Sequence, residues 1–286
     1  MPHVLNVIAE NAGALAEALK DLGAPVWLAP DRAFDIPLPG EGATALAEAR
    51  ARLKNARADI NVVGQENRRK KLLVADMDST IISCECLDEL ADLAGLKPRV
   101  AAITERAMRG EIAFEPALRE RVALLKGMPL SDLARTYMER VRLNPGAKAL
   151  VATMRAHGAQ TLLVSGGFTF FTTRVASDAG FQSQQANILL DDGHRLTGRV
   201  REPILGREAK LEALERATFA AALDFSQTLA VGDGANDLAM IARAGLGVAY
   251  HAKPVVAAAA QASIAHNDLK ALLYLQGYRE EEIVGG

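Results

Sequence analysis

The chain has 286 residues, half of them hydrophobic and 24% charged, with a formal net charge of −2. That is the balance of a globular protein with room for more than one domain, and its even charge points neither to nucleic acid nor to an anionic membrane. It has no apolar run of membrane-spanning length, and MPHVLNVIAENAG lacks the pattern of a signal peptide. The two cysteines, Cys84 and Cys86, are poorly spaced to bridge each other and have no partner set for zinc, as expected of a cytoplasmic protein. The five histidines are scattered, and none is assigned a role.

In chain order, HVLNVIA reads as a strand, NAGALAEALKDLG as a helix with Asn11 as N-cap and Gly23 as stop, PVWLA and RAFDI as strands, ATALAEARARLKNARA as a helix and DINVV as a strand. This β-α-β-β-α-β order is the ferredoxin-like one. GQENRRKK, residues 64–71, is polar and reads as a linker. It divides the chain into a small α+β domain of residues 1–68 and a larger domain of residues 69–286. The larger domain opens on an apolar strand, LLVAD, and then turns all-helical through CLDELADLAG, PRVAAITERAMRG, FEPALRERVALLKG and LSDLARTYMERV. From GAKALVATMRAHG onward, helices and strands alternate, with a hairpin at Asp192-Gly193 in NILLDDGHRLTGRV, and the Ala257–Ala262 stretch reads as helix. Such alternation predicts a parallel sheet covered on both faces, with the helical block, about residues 85–143, as an insertion after its first strand.

Three of these strands stop on polar clusters: LLVAD on Asp76, TLLVS on Ser165 and TLAVGD on Asp233. Ligands of open α/β sheets bind beyond the carboxyl ends of the strands, so these clusters are expected to meet at one edge. SGGF and GDGAND add backbone N–H groups in tight turns, which suit an anion. Each cluster alone reads more naturally as a turn or a cap. Their joint placement favours a site. Asp76 and Asp78 repel each other when both are ionised, which calls for a cation between them or a proton on one.

DMDST followed by SGG, a lysine and GDGANDLAM resembles the haloacid dehalogenase superfamily of phosphatases. ADMDSTIISCECLDELA, GEIAFEPALRERVALLKG, LVSGGFTFFT, LTGRV, EAKLEAL and AVGDGANDLAMIARAGLGVAYHAKP are most similar to the branch that acts on O-phosphoserine. The resemblance spans about residues 72–275 and leaves residues 1–65 uncovered. It implies an α/β, HAD-like Rossmannoid sheet with a helical cap, and a Mg²⁺-dependent hydrolysis of O-phosphoserine to serine and phosphate, the last step of serine biosynthesis. Asp76 would be the nucleophile, forming an aspartyl-phosphate, and Asp78 the general acid and then the general base. Mg²⁺ would be held by Asp76, the backbone carbonyl of Asp78 and Asp233. Ser165 and the Gly166 N–H would bind phosphate oxygens, Lys210 would neutralise moving charge, and Asn236 would contact substrate or phosphate. Asp237 would support Lys210 or the metal shell, or cap its helix.

Substrate choice is expected from the cap. On FEPALRERVALLKG, steps of about 100° put Arg121 in the middle of the stripe of Phe114, Leu118, Val122 and Leu125, while Arg119 and Glu120 point away. A charge among buried residues needs a partner. The resemblance places a carboxylate-binding arginine there and an ammonium-binding glutamate at Glu85, which together would read a zwitterionic amino acid. The nearest alternative is a related enzyme acting on another small phosphomonoester or transferring the phosphoryl group to an alcohol such as homoserine. A non-catalytic amino-acid sensor is disfavoured by the complete set of Asp76, Asp78, Ser165, Lys210 and Asp233. The N-terminal unit is expected to serve regulation or homodimer formation, and a cut near residue 68 is expected to leave an active catalytic domain.

Overall fold

The computed structural model describes residues 2–109, 111–206 and 208–285; Gly110 and Arg207, at the margins of two helical stretches read from the sequence, lie outside the described residues. The first unit comprises β1 (His3–Ala9), α1 (Ala12–Ala18), β2 (Val26–Ala29), β3 (Ala33–Leu38), α2 (Ala43–Arg52) and β4 (Ala58–Gly64). Its strands form an antiparallel sheet in the order β2-β3-β1-β4, the ferredoxin-like arrangement. Alternation sorts the two faces: Leu5, Val7, Phe34, Ile36 and Ile60 pack with the helices, and Val4, Ile8, Ala33 and Val63 join the core on the other side. Asn11 does not cap α1. It sits in the left-handed region (φ 59°, ψ 45°) with no side-chain cap bond, whereas a capping side chain works from extended backbone. Asp31 serves instead: its carboxylate accepts the Gly13 N–H at 2.7 Å and its carbonyl the Ala12 N–H at 2.9 Å.

The second unit opens on β5 (Leu72–Asp76) and rises into a cap of four helices, α3 (Cys86–Leu93), α4 (Lys97–Met108), α5 (Phe114–Leu124) and α6 (Leu130–Arg140). It returns through α7 (Ala147–Ala156), β6 (Gln160–Phe168), α8 (Thr169–Ala179), β7 (Ser183–Asn187), the hairpin β8 (Leu189–Asp191) and β9 (Leu196–Val200), and α9 (Ala209–Ala220). The chain ends with β10 (Thr228–Gly232), α10 (Leu238–Arg243), β11 (Leu246–Tyr250), α11 (Pro254–Ala259), β12 (Ala262–Ile264) and α12 (Ala271–Leu275). Six strands lie parallel in the order β12-β11-β10-β5-β6-β7. β5, β10 and β11 are buried along their whole length, which is why they read as unbroken apolar runs. The alanine stretch departs from its helical reading after Ala259: Ala260 is extended (φ −82°, ψ 152°), and Ala262 pairs with β11, which outweighs alanine's helix propensity. Asn144 ties the two feet of the cap together by donating to the carbonyls of Thr80 (2.7 Å) and Ile82 (3.2 Å).

The open face of the first sheet is closed by the second unit. Val4, Ile8, Leu28, Ala33 and Val63 share one core with Ile264, Leu272 and Tyr274. Buried polar side chains peg the junction. Asp59 accepts the N–H groups of Ala265 (2.7 Å) and Asn267 (3.0 Å), and Asn61 exchanges two hydrogen bonds with Ser263 at 2.9 and 3.1 Å. The stretch read as a linker acts as a clasp. Arg68 forks onto Asp35 at 2.6 and 2.9 Å and donates to the Leu275 carbonyl at 2.8 Å. Lys70 is buried against the Ser226 carbonyl at 2.7 Å. Among the described residues, no helix is long and apolar enough to cross a membrane.

Candidate active site

The chain runs from β5 to β6 and β7 on one side of the sheet and places β10, β11 and β12 on the other, so strand order reverses between β5 and β10. A crevice opens at the carboxyl ends of two such strands. Asp76 ends β5, Asp233 follows β10, and Ser165 lies one residue past the Val164 that pairs with Asp76. The GDGAND turn folds Asp237 back beneath them. A Cβ on Gly232 would stand 2.3 Å from the Asp237 carboxyl carbon, so only glycine admits that carboxylate. Lys210, in the first turn of α9, is 3% exposed. Its ammonium lies 2.7 Å from Asp76 Oδ1 and 2.6 Å from Asp237 Oδ1. The second Asp237 oxygen accepts the Gly234 N–H at 3.0 Å.

Carboxylate oxygens of Asp76, Asp233 and Asp237 all lie within 4.8 Å of one another. Burial, and then the charge of Asp237, push the Asp76 carboxyl well above its usual range against the pull of Lys210. The same two causes raise Asp233. Burial also works against the Lys210 ammonium, but Asp76 and Asp237 outweigh it and hold the group charged. Three carboxylates gathered around one ammonium leave room for further positive charge. Because Asp237 spends both oxygens on Lys210 and Gly234, Asp76 and Asp233 are the freer donors. An all-oxygen donor set of this kind fits a hard divalent cation.

Asp78 takes a different side of the crevice. The turn after β5 is not helical at Asp78 (φ −67°, ψ 137°) or Ser79 (φ 56°, ψ 4°), and the charge of Asp78 comes last among the groups acting on Asp76. Asp78 Oδ1 accepts the Cys86 N–H, at the start of α3, at 2.9 Å. Asp78 Oδ2 accepts from the Ser165 hydroxyl at 3.1 Å, and that hydroxyl in turn accepts the Gly167 N–H at 2.8 Å. Burial raises the Asp78 carboxyl, and the Cys86 amide is the first of the groups that oppose it.

The profile of the haloacid dehalogenase-like hydrolases matches residues 73–242, more than half of the chain. The chain belongs to that family. It is 48% identical to a phosphoserine phosphatase of a Polaromonas species over 72% of this chain and 89% of that one. A solved probable phosphoserine phosphatase from Vibrio cholerae superposes with a TM-score of 0.81 at 34% identity, over 96% of this chain and 86% of that one. A phosphoserine phosphatase solved as a phospho-aspartyl intermediate analogue superposes with a TM-score of 0.66 at 36% identity, over 72% of this chain and 98% of that one.

In this haloacid dehalogenase-like hydrolase the cap supplies the crevice's other wall. Phe114 stands over the SGG turn, where a Cβ on Gly166 would lie 3.4 Å from its ring. Ser79 donates to Glu85 Oε1 at 2.7 Å. Burial, then the charge of Asp78, raise the Glu85 carboxyl to about 7. Arg121 is half-buried between the buried Leu118 and Val122, while Arg119 pairs outward with Glu202 and Glu120 with Arg106. Its Nε donates to its own helix at the Ala117 carbonyl, 3.3 Å away. Burial lowers its pKa, opposed by the charges of Asp88 and then Glu85. Asn236 is exposed, its side chain folded towards Gly234. The sequence reading did not include the Cys86 amide on Asp78. The only signal was that α3 must begin near there and so offer unpaired N–H groups.

Proposed function

We propose that this chain hydrolyses O-phosphoserine to serine and phosphate. The observation that carries the reading is the buried Asp76–Lys210–Asp237 set at the strand-order reversal, with Asp78 and Ser165 bonded to each other beside it. Asp76, with Lys210 on one oxygen, attacks phosphorus through the other and becomes an aspartyl-phosphate. Asp78, held by the Cys86 amide and the Ser165 hydroxyl, gives a proton to the departing serine oxygen and takes one from the hydrolytic water. Lys210, fixed by Asp237, neutralises the negative charge that shifts between Asp76 and the phosphoryl oxygens during transfer. Ser165 and the Gly166 N–H face the phosphoryl oxygens. Asp76 and Asp233, with the Asp78 carbonyl, are the ligands for Mg²⁺, which when bound offsets carboxylate repulsion and polarises the phosphoryl group. Arg121 and Glu85 read the substrate's carboxylate and ammonium. The deciding experiment is phosphate release from phosphoserine with Mg²⁺ and with EDTA. No release with Mg²⁺ from folded protein sinks the reading, and release undiminished by EDTA sinks the metal assignment.

A further inference from the structure

Asn187 closes β7 and is 2% exposed. Both N–H groups and the oxygen of its side-chain amide are engaged. It donates to the Gly166 carbonyl at 2.9 Å and to the Leu205 carbonyl at 3.3 Å, and accepts the Leu205 N–H at 2.7 Å. The Gly166 carbonyl and the Gly167 N–H belong to one rigid, planar peptide and point in opposite directions from it. One side of that plane is therefore held by Asn187. The other side donates to Ser165 Oγ at 2.8 Å, and Ser165 donates to Asp78 Oδ2 at 3.1 Å.

We infer that Asn187 is a positioning residue for the phosphate-binding turn, acting through the Gly166–Gly167 peptide and the Ser165 hydroxyl on Asp78. The inference rests on the phosphatase reading above. Crowding falls on Gly167, while Gly166 meets Phe114 at ordinary contact distance. A Cβ on Gly167 would lie 3.0 Å from Ser165 Oγ and 3.2 Å from Asp78 Oδ2, and one on Gly166 would touch Phe114. A Gly-Gly peptide is also the easiest kind to turn over, because neither residue has a Cβ to restrict it. Turning it over would point a carbonyl at Ser165 Oγ in place of an N–H, and would re-aim the hydroxyl that Asp78 relies on. Asn187 supplies the restraint that the glycines cannot. All three donors in the relay point towards Asp78, the arrangement in which successive hydrogen bonds reinforce one another. The same amide exchanges two hydrogen bonds with the Leu205 backbone, which fix where Asn187 itself sits.

The test is a double-mutant cycle on the full chain with Mg²⁺. Asn187→Asp keeps the shape and the acceptor for Leu205 but loses both donors. It is expected to lower kcat for phosphoserine about 10- to 100-fold, as loss of a group supporting a site residue commonly does, with KM changed little; the thermal midpoint should also fall, because a buried carboxylate then faces two carbonyl oxygens. Ser165→Ala is expected to lower kcat at least as much, and the double variant should be no worse than Ser165→Ala alone. Wild-type kcat in folded Asn187→Asp overturns the inference, and so do losses that multiply in the double variant. Wild-type kcat in Ser165→Ala overturns it as well, because the relay ends on that hydroxyl; no phosphate release from the folded wild type would instead overturn the phosphatase reading. If Asn187→Asp does not fold, Asn187→Ser carries the same cycle.

Discussion

Asp76 and Lys210 set each other's behaviour at 2.7 Å in a buried crevice. Asp76→Asn removes the nucleophile while nearly preserving shape, so turnover of phosphoserine should vanish with circular dichroism unchanged. Near-normal turnover in a sample shown by mass spectrometry to be undeamidated would sink the assignment. Arg121→Ala should act on selectivity. Loss of a charge-assisted pair costs about 1.5–3 kcal/mol, roughly ten- to hundredfold in kcat/KM for phosphoserine. p-Nitrophenyl phosphate, which has no carboxylate, should lose much less, and equal losses on both substrates would assign Arg121 to the cap or the phosphate. These residues were not equally legible. Asp76, Ser165 and Asp233 announce themselves because each ends an apolar strand. Arg121 shows in helical phase, since Leu118 and Val122 beside it are buried. Lys210 follows a glutamate in a charged stretch and reads as solvated until the fold buries it between two carboxylates. Asn187 carries no signal in the sequence, because its partners are backbone groups 21 and 18 residues away.

At the scale of elements, the turns after β5 and β10 and the irregular end of β6 hold the chemistry, and their tolerances are steric and electrostatic. Gly167→Ala forces a methyl against Ser165 Oγ and Asp78 Oδ2. The two neighbours must give by a few tenths of an ångström, so kcat should fall, by less than the about hundredfold scale of a 1 Å misplacement, while the protein stays folded; an unaffected kcat would show that the neighbours give way freely. The acidic crevice also makes the metal-free protein pH-sensitive in one sense. Glu85 is raised from 4.5 to about 7, by burial and then by Asp78, and Asp76, Asp78 and Asp233 are raised as well. A carboxyl with a raised folded pKa binds its proton more tightly folded than unfolded. Its stabilising contribution is therefore full below about 4.5 and lost as pH climbs through about 7. The gap in thermal midpoint between Mg²⁺ and EDTA should widen across that window. A constant gap would mean that these carboxyls are not coupled to the metal. The cap helices and the parallel sheet were legible from period and alternation. The conformation of Asp78 and Ser79 was not, because a left-handed serine is imposed by its surroundings.

For the whole molecule, the junction between the units matters more than polarity at residues 64–71 suggests. Sequence alone reads four cations there as solvated. In the fold, Arg68 is spent on Asp35 and two carbonyls of the C-terminal helix region. Arg68→Ala removes Asp35's charged partner and leaves it the Asn6 amide at 2.8 Å, a change that costs about 3–5 kcal/mol when a pair is buried; urea unfolding measures it, and a loss under about 1 kcal/mol would show that Asn6 and water satisfy Asp35. Deleting residues 1–68 removes no residue of the proposed site, but it bares Ile264, Leu272 and Tyr274. The truncated chain is expected to aggregate, with activity confined to what remains monomeric, as size-exclusion chromatography followed by phosphate release would reveal. A monomer with the full-length thermal midpoint would show that the two units are thermodynamically independent.

The pegging of Asp59 to the Ala265 amide, 206 residues further along the chain, gives the molecule an order in time. During synthesis at 5–20 residues per second, the first sheet leaves the ribosome roughly 10–40 s before the segment that covers it. Over that interval Val4, Ile8 and Val63 face solvent, and Asp59 and Asn61 await partners that do not yet exist. The stretch that completes the first sheet is thus translated 206 residues after the aspartate it pegs.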